Sequence, residues 1–223
     1  MSNLYAVGDI HGQAGMLSLL IEKVPFKEDD EIVFIGDYID RGPDSRSVVD
    51  AVLEFKLKFP KTVFLRGNHE DLFLDYLKEE GNYQNGVFLM NGGYETLESY
   101  GIDPREGPSR IPPLHMKFFE ELLFRHDSRG FFFVHAGVRP GVSLDEQTDH
   151  DMIWIRQDFF DSEENFEKPV VFGHTPMPDV LDLLPRMLGI DTGAAYGGML
   201  TCVQLEERQV VNTYQVNSTE VMA

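Results

Sequence analysis

Ile32-Val33-Phe34-Ile35-Gly36-Asp37-Tyr38-Ile39-Asp40-Arg41-Gly42 is the stretch on which the fold of this 223-residue chain turns. A short run of β-branched and aromatic residues closes on glycine, and acidic residues follow at once. Such runs, bounded by Gly, read as buried strands. The same phrase recurs along the chain. Leu4–Val7 precedes Gly8-Asp9, with His11 close behind; 63–65 precedes Arg66-Gly67-Asn68-His69; Phe131–Val134 precedes His135; Val170–Phe172 precedes Gly173-His174. Helical patterns at 13–23, 44–58 and 70–80 separate and follow the first three runs, opened by residues such as Asp44 and Asp71. Strand–helix alternation of this kind implies an α/β fold, a largely parallel sheet with helices packed on it. Open α/β sheets bind ligands outside the carboxyl ends of their strands. All five runs place a polar, ligand-type residue at that end.

The rest of the chain is less regular. Residues 81–114 are rich in Gly, Asn and Pro, with Asn91-Gly92-Gly93 and Ile111-Pro112-Pro113. They are expected to form an irregular insertion over one face, with a short helix near 94–100. Residues 115–126 return to helical spacing. Strands are expected at 188–190, 199–205 and 210–216, the last two joined as a hairpin through Glu206-Glu207-Arg208. No internal repeat or low-complexity linker divides the sequence. The polar strand-end residues run from Asp9 to His174 and must converge to act together, so a single domain over 1–223 is expected.

Composition excludes several classes of partner. Nineteen Lys and Arg against 38 Asp and Glu give a net charge of −19, which repels nucleic-acid phosphates and anionic lipid. No apolar run approaches the ~20 residues of a membrane-spanning helix. The one cysteine, Cys202, permits neither an internal disulfide nor a thiolate metal cluster, and such usage fits a reducing cytoplasm. The N-terminus lacks a basic n-region and reaches a Gly-Asp turn before a signal-peptide core develops, so it reads as a first strand.

Asp9, His11, Asp37, Asp40, Asn68, His69, His135 and His174 form the set of strand-end residues. Taken singly, Asp9, Asp37, Asn68, His135 and His174 each read equally well as turn or helix-cap residues; jointly, at five strand ends, they do not. Carboxylate, imidazole and amide oxygen suit Mn, Fe or Zn. Two cations ~3.5–4 Å apart need a carboxylate able to bridge them. Asp37, on a central strand, is the natural bridge. Asp9 and His11 would complete one position, and Asn68, His135 and His174 the other. Two dications, two carboxylates and a hydroxide leave a local charge near +1, so metals would let an acidic protein hold a phosphate dianion.

Gly8-Asp9-Ile10-His11-Gly12, Gly36-Asp37-Tyr38-Ile39-Asp40-Arg41-Gly42 and Arg66-Gly67-Asn68-His69-Glu70, with His135-Ala136-Gly137 and Gly173-His174-Thr175 downstream, resemble the signatures of the phosphoprotein phosphatase branch of the calcineurin-like metallophosphoesterases. The resemblance runs from residue 4 to about 205. It implies a central mixed β-sandwich flanked by helices and a dinuclear site, with Mn foremost and Fe or Zn as alternatives. A bridging water, activated as hydroxide, would attack phosphorus. His69 would protonate the leaving oxygen and Asp40 would orient His69. Arg41 resembles the phosphate-clamping arginine, and Asn68 would serve substrate as well as metal. The second clamp is Arg156 in Trp154-Ile155-Arg156, or alternatively Arg139. Glu70 reads as a helix-start residue, and His115, His126 and His150 as surface histidines.

The resemblance implies phosphoserine or phosphothreonine in proteins as the foremost substrate. The alternative is a dinucleoside polyphosphate such as diadenosine tetraphosphate, cleaved with the same metals. That substrate would need an apolar platform, for which Tyr83, Phe88 and Tyr94 are candidates. His135-Ala136-Gly137, Ile190-Asp191-Thr192-Gly193-Ala194 and Asn91-Gly92-Gly93 with Thr96-Leu97 resemble the compact bacterial members. A catalytically silent phosphoprotein-binding module would have lost a metal ligand or His69, and none is lost.

Overall fold

The computed structural model describes residues 2–78, 83–103 and 111–222. β1 (Leu4–Val7), β2 (Glu31–Phe34) and β3 (Thr62–Phe64) are mutually parallel and joined through α1 (Ala14–Lys23) and α2 (Ser45–Lys58). Asp44 caps α2 by accepting from Ser47 N at 3.0 Å, satisfying one of the amides a helix start leaves open. α3 (Asn68–Lys78) begins directly at the third motif. α4 (Tyr83–Phe88) and α5 (Tyr94–Ser99) flank a kink in which Asn91 and Gly92 leave helical geometry, and α6 (Pro113–Glu120) follows.

A second sheet comprises β4 (Arg125–Ser128), β5 (Phe131–Val134), β6 (Val170–Phe172), β7 (Leu181–Leu183) and β8 (Met187–Gly189), in the order β4-β5-β6-β8-β7. The short helices α7 (Asp149–Trp154) and α8 (Gln157–Phe160) lie between β5 and β6. The chain then returns to the first sheet as β9 (Met199–Glu206), antiparallel to β1, and β10 (Gln209–Asn217).

In the order β10-β9-β1-β2-β3 the first sheet carries its three parallel strands to one edge, with antiparallel β9 and β10 on the other side, while the second sheet has parallel β5, β6 and β8 between antiparallel margins. The architecture is a mixed β-sandwich, not one largely parallel sheet. Leu4, Ala6, Val33 and Ile35 pack on Phe131, Phe133, Val171 and Leu188 between the sheets. The alternate residues Tyr5, Val7, Ile32 and Phe34 face the helices, and Phe132, Val170 and Phe172 pack with Met152 and Phe159 on the far side. Strands buried on both faces explain the continuous apolar runs of the sequence.

Two stretches depart from expectation. Residues 81–114 are more regular than expected where described: α5 matches the short helix expected near 94–100, but α4 and the kink precede it and α6 begins at Pro113. The expected helix at 115–126 stops at Glu120, and β4 begins at Arg125 with alternating exposure. Among the described residues, no helix is long and apolar enough to cross a membrane.

Candidate metal centre

Strand direction assembles the site. β1, β2 and β3 run parallel, so Asp9, Asp37 and Asn68 emerge side by side beyond their carboxyl ends, while β5 and β6 deliver His135 and His174. Gly173 N donates to His135 O at 2.7 Å, binding these two strand ends together. The first loop hangs from the second, because Ile10 N and His11 N both donate to Asp37 O, at 3.0 and 2.8 Å. The turns are sharp. His11, Asp37, Asp40, Arg41 and His174 have φ between 47° and 71°, a left-handed region that costs non-glycine residues energy and clusters at functional sites. Gly36, at φ 106°, lies where an added Cβ would press on Gly67 N and His135 Nδ1.

Glu70 holds the turn at Asp37. It is fully buried, and its carboxylate accepts from Asp37 N (3.0 Å), Tyr38 N (2.8 Å), Ile39 N (3.3 Å) and Gly67 N (3.0 Å). It is no mere helix-start residue. Burial, then the charge of Asp37, push Glu70 up to about 8, against amide donors that favour its ionised form.

The donor atoms converge on Asp37 and Asn68. Asp37 Oδ2 lies 3.3 Å from His11 Nε2, 3.4 Å from His135 Nε2 and 4.0 Å from His69 Nε2. Asn68 Oδ1 lies 3.1 Å from His135 Nε2 and 2.8 Å from His174 Nδ1. Two groups, His11–Asp37–His69 and Asp37–His135–His174, each bring one ligand atom per residue within 4.8 Å of one another. Asp9 stands at their side: its Oδ2 accepts from His174 N at 2.9 Å, and its buried Oδ1 has no hydrogen-bond partner.

The donor set fits two divalent cations. The Nδ1 atoms of His11 and His135 each lie 2.9 Å from a backbone carbonyl, of Ile39 and Ile35 respectively, so each can donate its proton there and turn an Nε2 lone pair inward. Burial pushes His11 down to about 3 and His174 to about 2, so both are neutral and competent to ligate. Burial alone would also lower His135, but Asp37 and then Asp9 raise it to about 9; a proton there balances carboxylate charge that a cation would otherwise balance. Burial opposes the ionisation of Asp37, yet His135, His69 and His11 together hold it well below the usual carboxylate range.

A sequence model described as calcineurin-like phosphoesterase matches residues 2–202. The chain belongs to this family. Calcineurin-like metallophosphoesterases are hydrolases that use divalent metal ions, which agrees with the converging donors. Over 215 residues the chain is 29% identical to serine/threonine-protein phosphatase 1 of Salmonella typhimurium, covering 92% of each. It is 25% identical over 236 residues to bis(5′-nucleosyl)-tetraphosphatase PrpE of Anoxybacillus flavithermus, covering 92% of this chain and 91% of that one. A cold-active protein-tyrosine phosphatase from a Shewanella species superposes with a TM-score of 0.71 at 15% identity, over 97% of this chain and 80% of that one, a likeness of fold.

In this metallophosphoesterase His69 and Asp40 form a buried pair, Nδ1 to Oδ2 at 2.6 Å, and His69 Nε2 has no hydrogen-bond partner. Burial lowers His69 to about 4, and raises Asp40 well above the usual carboxylate range despite a hydrogen bond from Thr96. Arg41 Nη1 lies 2.6 Å from His11 Nε2, so its guanidinium reaches the donor cluster. Arg156 is exposed and donates to Thr175 Oγ1 at 3.2 Å; after burial and nearer groups, its charge helps lower His69 and His174. Arg139 is engaged elsewhere, bound to Asp151 at 2.5 and 2.9 Å and to Asp158 at 3.1 Å. Of the two candidate clamps, Arg156 is therefore the one near the centre.

Several neighbours escaped the sequence reading. Asp191 is buried, its charge acts on Asp9, it accepts from Gly193 N at 2.9 Å, and burial raises it to about 6; its motif is legible in the sequence, its place is not. Thr96 reaches Asp40 from α5. Tyr196, 63% exposed, lies 5.3 Å beneath the Arg41 guanidinium. Of the proposed platforms, Phe88 is buried against Phe73 and Tyr76, Tyr94 is exposed, and the Tyr83 side chain lies outside the described residues. His115 is buried, not superficial, between Tyr100 OH (2.8 Å) and Asp50 (3.0 Å). His126 is half-buried against Glu31, and His150 is exposed and stacked on Trp154.

Proposed function

We propose that this enzyme hydrolyses phosphomonoesters, foremost phosphoserine and phosphothreonine in proteins, with Mn as its metal. The observation that carries this reading is the buried His69–Asp40 pair, whose partnerless Nε2 faces the Asp37 carboxylate. Serine and threonine alkoxides are poor leaving groups, and a proton donor helps most there. Asp9, His11 and Asp37 would hold one cation, and Asp37, Asn68, His135 and His174 the other. Once bound, the cations supply Lewis acidity and neutralise charge on the phosphoryl oxygens. Arg41 and Arg156 grip the non-bridging oxygens as bidentate forks, and Asn68 adds an amide donor beside them. As water attacks phosphorus and the P–O bond to the alcohol breaks, His69 Nε2 gives its proton to the departing oxygen. Burial holds His69 neutral and Asp40 protonated, so Asp40 donates to Nδ1, keeps the imidazole proton on Nε2, and passes its own proton to Nδ1 as Nε2 gives one up. The whole of 1–223 acts here as one catalytic domain.

A second reading, hydrolysis of dinucleoside polyphosphates, draws on Tyr196, an exposed ring on which a nucleobase would stack beside Arg41. The test is side-by-side kinetics of the Mn-loaded protein on a phosphoserine peptide and on diadenosine tetraphosphate. The first reading expects kcat/KM to favour the peptide by orders of magnitude. The reverse preference establishes the second, and turnover of neither removes both.

A further inference from the structure

Asp40 and Arg41 are consecutive non-glycine residues with φ of 71° and 68°. Such conformations persist only where the surroundings over-determine them. Besides nearby Ser45, the constraint comes from one short segment distant in sequence, the kink and helix that carry Asn91-Gly92-Gly93 and Thr96. Thr96 is fully buried, and its hydroxyl donates to Asp40 Oδ1 at 2.6 Å while its oxygen accepts from Asp40 N at 2.9 Å. With its one proton committed to Asp40, Thr96 must accept from Ser45 Oγ, 2.9 Å away. Ser45 Oγ in turn accepts from Asp40 N at 3.0 Å. Asp40 thus has both oxygens assigned, Oδ1 to Thr96 and Oδ2 to His69. One turn earlier, Gly92 O accepts from Arg41 N at 3.2 Å, and a Cβ at Gly92 (φ 100°) would overlap Arg41 N.

We propose that residues 92–96 are a positioning element of the phosphatase reaction: Thr96 fixes Asp40, and through it the His69 imidazole, while Gly92 seats Arg41. This inference rests on the reading of His69 as proton donor. It makes the former insertion part of the catalytic frame. Thr96 touches no reacting atom and acts through Asp40 alone, so its loss weighs on the step that protonates the leaving group. Gly92 acts on the phosphate clamp, so its substitution weighs on binding.

The test compares Mn-loaded parent, Thr96→Val, Thr96→Ser, Gly92→Ala, His69→Asn and the His69→Asn/Thr96→Val double variant on a phosphoserine peptide and on 4-nitrophenyl phosphate, whose leaving group needs little protonation. Thr96→Val lowers kcat on the peptide about tenfold more than on the nitrophenyl ester, as expected of a displaced catalytic group. Thr96→Ser recovers the parent ratio, and Thr96→Val adds no further change to the ratio once His69 is Asn. Gly92→Ala raises KM for both substrates alike. Equal slowing of both substrates by Thr96→Val, or an unchanged effect on the ratio without His69, overturns the proposal. Should Thr96→Val not fold, Ser45→Ala is the substitute, with a smaller loss in the same direction, and equal losses on both substrates again overturn it. If His69→Asn itself leaves the ratio unmoved, the donor reading has failed and this inference with it. That outcome is distinct from one in which His69 behaves as expected and Thr96 does not.

Discussion

Replacing Glu70 by Gln changes one atom in a side chain that no metal is expected to touch, yet the consequence should be large. The carboxylate is acceptor-only and receives four backbone N–H groups, two per oxygen: Tyr38 and Ile39 on Oε1, Asp37 and Gly67 on Oε2. A glutamine keeps one acceptor oxygen and turns an NH2 donor toward the other two amides, whichever way it is flipped. A buried donor left without an acceptor costs ~1–3 kcal/mol, so two cost ~2–6 kcal/mol. Glu70→Ala orphans all four, ~4–12 kcal/mol, comparable with the ~5–15 kcal/mol that keeps a domain folded. The assay is urea denaturation followed by circular dichroism, with a chelator present because bound metal would mask the loss by mass action. It is run at about pH 9, above the value of about 8 to which burial and Asp37 push Glu70, so the parent side chain is ionised. A Glu70→Gln protein within ~0.5 kcal/mol of the parent would refute the reasoning, since that is the range of a surface substitution.

His69→Asn should retain both metals by elemental analysis yet lose ~10²–10⁴ in kcat on a phosphoserine peptide, and far less on nitrophenyl phosphate; empty metal sites would rule out the donor role. Asp37→Asn should lower metal content and both activities together, because its carboxylate lies between the two donor groups. Arg156→Ala should raise KM roughly 10–100-fold, the worth of a charge-assisted hydrogen-bond pair, whereas Arg139→Ala should leave KM near parent. Arg139 instead bears on stability against acid. Its hydrogen bonds hold the Asp151 carboxyl below the usual carboxylate range, so the pair contributes stability above the unfolded value of about 4 that is lost as pH falls through the folded value. Arg139→Ala should therefore flatten that part of the acid limb of a pH–stability curve, and an unchanged limb would count against the pairing.

The sequence determined what local pattern can determine. Apolar runs closed by Gly-Asp, Gly-Asn or Gly-His, and one closed directly by His135, marked five strands and the functional residues at their ends, because strand burial and turn chemistry act over a few residues. The donor set was legible too, since ligand type depends on side-chain identity alone. The family to which the chain belongs followed from the same motifs. Register and partnership were not legible. That the strands divide between two sheets depends on which apolar faces meet across the sandwich, and alternation within one strand carries no information about its partner.

Residues that act by supporting others were hidden for the same reason. Glu70 has an ordinary helix-start identity, and only the turn at Asp37, thirty-three positions earlier, makes it an acceptor for four amides. Thr96 lies fifty-six positions from Asp40 and looks like any helical threonine until α5 is laid beside the second motif. His115 reads as a polar surface residue because its partners come from elsewhere, Asp50 from α2 and Tyr100 from the end of α5. Arg139 and Arg156 are chemically alike in sequence, and the choice between them rests on where Asp151 and Asp158 lie. A ligand's chemistry belongs to its side chain, but the geometry that makes it useful is held by hydrogen bonds between segments far apart in the chain, which form only when the tertiary structure does.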